Sequence, residues 1–149
     1  MISITTYKLA RKEVYVKSAN LSAAFERMTS EPKSKQRKIK DVHKFVVLNH
    51  ILSSYIATIA SAQSKKEIPV AHPEAMKLIK KSITVLNETG QKLHAQNIEF
   101  NIGKIPPVNP EAQKPVAQAE DALLKEQLGF INKISYDIAK ITDSILIEP

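Results

Sequence analysis

A chain of 149 residues, 43% hydrophobic but only 5% aromatic and without Trp, is long enough to bury one core and too short for two independent domains. Residues 1–149 therefore read as a single domain with an Ile, Leu, Val and Ala core. The absence of Cys excludes disulfides, thiolate zinc sites and a Cys nucleophile, and three glycines are too few for the tight turns of an all-β chain. Lys plus Arg outnumber Asp plus Glu by 22 to 15, a net charge of +7, so anionic lipid and nucleic acid are both attracted over roughly a Debye length of ~10 Å.

Met1 to Thr6 is followed by Lys8, Arg11, Lys12 and Glu13 with no apolar segment, so no signal peptide is expected. Apolar residues then recur in steps of three and four. Tyr7, Ala10, Val14, Leu21, Ala24 and Met28, broken at Lys17 and widened by Phe25, mark one face of a first helix. Glu31-Pro32 ends it, because the residue before proline is pushed out of the α region.

A second helix is expected to begin between Lys35 and Lys40 and to run to about Ser64. Its core stripe is Val42, Phe45, Leu52, Ile56 and Ile59, broadened by Leu48, Ile51 and Tyr55. From Phe45 to Ser64 no residue is charged, close to the roughly 20 residues of a membrane span. Asn49, His50, Ser53, Ser54, Thr58, Ser61, Gln63 and Ser64 interrupt that stretch, which favours a buried or partner-facing helix. One flank, Asn49, Ser53, Ala57 and Ala60, is small and uncharged, suited to tight packing within the bundle or to an oligomer contact.

Pro69 and Pro73 close the next loop, with Pro73 placed for the first turn of a third helix. Its stripe is Met76, Ile79, Ile83, Leu86, Gly90 and Leu93. Gly90 lies on the stripe, which fits a close helix crossing or a tolerated glycine costing ~1 kcal/mol. Ile98, Phe100 and Ile102 alternate as an extended piece, and Asn101 to Pro115, with Gly103, Pro106, Pro107, Pro110 and Pro115, is the one long connection. The last helix, from about Val116 to Ile145, carries Leu124, Ile131, Ile134, Ile138, Ile141 and Ile145 on one face. Four helices of similar length predict an all-α fold, an antiparallel up-down four-helix bundle with a long Pro-rich connection between helices three and four.

Chemistry is harder to find. The Glu-x-x-His pairs of carboxylate-bridged metal bundles are missing, so no metal or other cofactor is expected. No phosphate-cradling glycine loop or Gly-flanked nucleophile occurs, and the chain reads as non-enzymatic. His43 and His50 share a face, yet the uncharged surroundings of His50 argue against phosphotransfer and for a partly buried imidazole bonded to Ser54. The basic run Lys33, Lys35, Arg37, Lys38 and Lys40 is a solvated turn or a contact for an anionic surface. No aromatic side chain interleaves it, which leaves base stacking unsupported and nucleic acid the less favoured partner.

The segment Thr6 to Pro32, opening Tyr7-Lys8-Leu9-Ala10-Arg11, passing Asn20-Leu21 and closing Glu31-Pro32, together with Phe45 to Ala57, resembles the cytoplasmic part of the fusaric-acid-resistance-like (FUSC) bacterial inner-membrane proteins. The likeness covers about the first 60 residues. It implies a regulatory or assembly domain of an efflux-type, aromatic-acid exporter-like protein at the cytoplasmic face of the inner membrane. The chain is then a soluble piece of a longer protein, with Ile2 to Thr6 the tail of a preceding membrane helix. Its partners are then the transmembrane part of the same polypeptide, an anionic lipid surface and further copies of itself. The rival expectation is a freestanding basic helical protein that binds nucleic acid or another anionic partner.

Overall fold

The computed structural model describes residues 4–64, 73–95 and 119–147. They form four helices, α1 (Ile4–Ser30), α2 (Ile39–Ser64), α3 (Pro73–His94) and α4 (Ala119–Leu146), and no strand occurs among the described residues. The fold is all-α. The extended piece at Ile98 to Ile102 and the Pro-rich connection from Asn101 to Pro115 lie outside the described residues.

Local chemistry sets the helix ends. α1 stops at Ser30 ahead of Glu31-Pro32, and the Gln36 amide donates to the carbonyls of Thr29 at 3.0 Å and Glu31 at 2.8 Å. Carbonyls that the helix cannot satisfy are thereby capped. Pro73 opens α3, Glu74 follows in its first turn and Lys92 lies in its last, both charges matched to the helix dipole. Lys38, just before α2, has a φ of 51°, a left-handed conformation that costs a residue with a Cβ ~1–2 kcal/mol. Its ammonium is half-buried and donates to the carbonyls of Ser144, at 2.6 Å, and Ile147.

Side-chain pairs fix the directions. Ser22 pairs with His50 and Phe25 stacks on His43, so α1 and α2 are antiparallel. Asp41 accepts from Ser144 at 2.8 Å and Tyr55 packs on Phe130, so α2 and α4 are antiparallel too. α3 and α4 differ: Glu74 pairs with Lys125, Ser82 with Asn132 and Lys92 with Asp143, which makes them parallel. The order is up, down, up, up, and the alternation expected from the sequence fails at this last pair. The stretch from His94 to Ala119, at up to ~3.5 Å per residue, is long enough to return along a whole helix, so chain length imposes no antiparallel partner.

The core lies between three helices. α4 packs on α2 and on α3, while α1 packs on α2 and on no other described helix. Leu52, Ala75, Leu128, Ile131, Ile134 and Ile138 form the buried cluster, flanked by half-buried Phe45, Leu48, Ile51, Leu78, Ile79 and Leu86. Ile134 and Ile138 are nearly inaccessible, each removal from water contributing ~1.5–3 kcal/mol. The isoleucine face expected for α4 is the one observed.

α3 turns one residue from the expected stripe. Its buried residues are Ala75, Ser82, Val85, Thr89 and Gly90, while Met76, Ile79, Ile83 and Leu86 are only half-buried. Small side chains occupy the seam with α4 and the large ones flank it. Ser135 and Thr142 on α4 are 0% exposed and donate to the carbonyls of Ile131 and Ile138 one turn back. Hydroxyls satisfied within their own helix allow close approach at no unpaired polar cost. The burial of Gly90 favours the close-crossing reading of that glycine.

Candidate functional site

The expected anionic-surface residues occupy the α1–α2 turn. Lys33, Lys35, Arg37 and Lys40 are exposed. Lys38 is the exception, because its ammonium is spent on α4 carbonyls, and the run offers four solvent-facing cations where the sequence promised five. A charge run read from sequence gives no hint of which member the fold consumes.

The small flank of α2 is half-buried throughout. Asn49 donates its amide to the Phe45 carbonyl at 2.8 Å, and Ser53 donates to the Asn49 carbonyl at 2.9 Å. The polar groups of the flank are thus turned back onto their own helix. Ser53 and Ala57 line a groove between α1 and α2, whereas Asn49 and Ala60 are not among its lining residues.

That groove, of about 400 Å³, is lined by Arg11, Val14, Tyr15, Ser18, Ala19 and Ser22 from α1 and by His50, Ser53, Ser54 and Ala57 from α2. Arg11, Tyr15, Ser18 and Ser22 follow steps of four, three and four, one face of α1. At such positions two packed helices ordinarily bury large apolar side chains; serines here leave the interface unfilled. Sequence reading missed the α1 wall, and the available signal was its polar spacing at the break in the apolar stripe.

His50 is exposed, and its Nε2 lies 3.1 Å from Ser22 Oγ across the helix pair. The expected bond to Ser54 and partial burial are both replaced by this contact. A bond within one helix can be read from spacing, whereas a bond between helices needs their register. Arg11 donates to the Tyr15 hydroxyl at a long 3.4 Å and stands 5.6 Å from the centre of that ring. The hydrogen bond to Tyr15, then the charges of Tyr15 and Tyr7 when ionised, raise the Arg11 pKa further, so the guanidinium stays cationic throughout. His43 stacks on Phe25 at 5.4 Å, and His72 lies outside the described residues. Among the described residues no cluster of three His, Asp or Glu side chains could hold a metal ion.

α2 raises the membrane question again. Ile39–Ala62 is long and apolar enough to cross a membrane, with a mean hydropathy of 1.5 and only 11% of its most apolar window buried. α1 adds exposed apolar surface: Leu9 and Tyr15 are each 63% accessible, with Val14 and Val16 about half so. Comparison with family models, with curated proteins and with solved structures yields no match to this chain.

Proposed function

We propose that the chain is a non-catalytic regulatory or assembly domain of an efflux-type bacterial inner-membrane protein, similar to the cytoplasmic part of FUSC proteins, and that its α1–α2 hairpin makes the contacts. One observation carries this reading: α1 is held along a single side by α2, and its apolar residues Leu9 and Val16 remain open to solvent. At 100° per residue those two lie ~180° from the α2-facing Ser18. A helix attached on one side with apolar side chains on the other has surface left for a partner.

Two further features support the reading. The residues that resemble the FUSC pattern, Thr6 to Pro32 and Phe45 to Ala57, fall on α1 and on the middle half of α2, the same hairpin. The exposed cations Lys33, Lys35, Arg37 and Lys40 sit at its turn, where each adds ~1 kcal/mol of attraction to an anionic lipid surface. In this reading the transmembrane part of the same polypeptide, or a second copy, supplies the helix that completes the closed four-helix arrangement against α1.

The coding sequence on either side of this chain tests the assignment: apolar spans encoded next to it are expected, and their absence on both sides overturns it. Flotation of the purified domain with phosphatidylglycerol vesicles, weakened by salt and by removal of the four exposed cations, is the expected biochemical result. Electrophoretic retardation of DNA or RNA, with no flotation, supports the nucleic-acid alternative instead.

A further inference from the structure

We infer that the α1–α2 groove is a binding site for a phosphomonoester group, held at the level of Ser18 and Ser54 between Arg11 on one side and His50 on the other. The lining is one-sided in charge: Arg11 contributes a permanent cation, and no carboxylate side chain lines the groove among the described residues. From the Ser22–His50 contact, one turn back along α1 and one turn forward along antiparallel α2 brings Ser18 opposite Ser54. Neither hydroxyl has a hydrogen-bond partner among the described residues, whereas that of Ser53 is committed to the Asn49 carbonyl.

The number of donors selects phosphate over carboxylate. Arg11, Tyr15, Ser18, Ser22, His50 and Ser54 all carry N–H or O–H groups, and among the described lining residues no acidic side chain competes for them. A carboxylate presents two oxygens, and a phosphomonoester presents three terminal oxygens in a tetrahedral array that accepts from several directions. The existing Arg11 contact to Tyr15, at 3.4 Å, is at the weak limit of a hydrogen bond. A phosphate oxygen offers the guanidinium a stronger, charge-assisted and bidentate partner. Val14, Ala19 and Ala57 supply a small apolar wall for the alcohol portion of the ester, and the volume of about 400 Å³ lies within the range of small-molecule sites. The site stands whether or not the chain is joined to membrane helices.

Phosphomonoesters occur free and as phosphatidic acid head groups, and both are tested on the full chain. Titration with glycerol 3-phosphate, followed by amide NMR, is expected to give saturable shifts at Ser18, Ser22, His50 and Ser54. Vesicles of phosphatidylcholine with added phosphatidic acid test the lipid source by flotation. Arg11→Gln is expected to weaken binding ~10-fold or more, the loss of one charge-assisted contact. Ala57→Phe, which fills the groove and leaves the buried cluster untouched, is expected to abolish binding while the circular dichroism spectrum is unchanged. Flotation that requires phosphatidic acid and is lost in Arg11→Gln, without a response to the soluble ester, supports the site and assigns it to the lipid head group. Shifts confined to Lys33–Lys40, equal affinity for butanoate and glycerol 3-phosphate, or binding that survives both variants overturns the proposal.

Discussion

Lys38 joins three parts of the chain: its backbone forms the turn after α1, its carbonyl accepts the first bond of α2 from Val42 N–H at 3.0 Å, and its ammonium holds the α4 carbonyls. Lys38→Met removes the ammonium and keeps the left-handed strain, so a loss of ~1 kcal/mol or more is expected in urea denaturation. Lys38→Gly also loses the ammonium but relieves the strain, and should be the milder change by ~1 kcal/mol. Equal midpoints for the two variants would show that the φ angle of 51° is not costly. The buried hydroxyls make a second contrast. Thr142→Val removes a donor whose acceptor, the Ile138 carbonyl, keeps its helical bond, and should shift stability by ~1 kcal/mol or less; Thr142→Leu overfills a fully buried position and should cost ~1–3 kcal/mol. None of this was legible in the sequence, where Lys38 is one cation among neighbours and Thr142 is a polar residue beside an isoleucine stripe.

At the scale of helices, the sequence was informative where apolar side chains are large and regular. The isoleucines of α4 appear as written, and the ends of α1 and α3 follow from Pro32 and Pro73. It was misleading where contact is made by small residues: Ser82 and Thr89 of the α3 seam have less hydropathy than the Met76–Ile79–Ile83 stripe beside them, so periodicity chose the flank and shared only Gly90 with the seam. Ile56 failed for another reason, being 47% exposed because α2 shares only part of its broad apolar surface with α4 and α1. The unequal packing predicts unequal local stability. Amide exchange should be slowest from Ile131 to Ile141, which faces both α2 and α3, and fastest in the first half of α1, which packs on one described helix and has no buried residue between Thr5 and Lys17. Uniform protection across α1 and α4 would mean that α1 is held by contacts beyond α2.

For the molecule as a whole, helix direction was out of reach of the sequence, because apolar spacing defines a face and says nothing about which end lies beside which. The groove was half legible: Ser53 and Ala57 were singled out, and the α1 wall opposite them emerged only with the register. The charge run can be reread in the same frame. Its cations lie at the end of the molecule where α1 and α4 terminate, and Lys92 of α3 reaches Asp143 there. Alanine at Lys33 and Lys35, which follow the C-terminus of α1, should therefore lower stability by ~1 kcal/mol or less at low ionic strength, a loss that shrinks as salt is raised. A loss unchanged by molar salt would point to packing of the side-chain stems instead.

With α1, α3 and α4 pointing one way and α2 alone pointing back, the peptide dipoles do not cancel as they do in an alternating four-rod stack. One pole gathers three sets of amide donors and the other three sets of carbonyl acceptors, so the molecule carries a lengthwise polarity independent of its side chains. Its lysine-rich cap sits at the acceptor pole, where Lys38 alone is shown reaching the backbone oxygens that gather there.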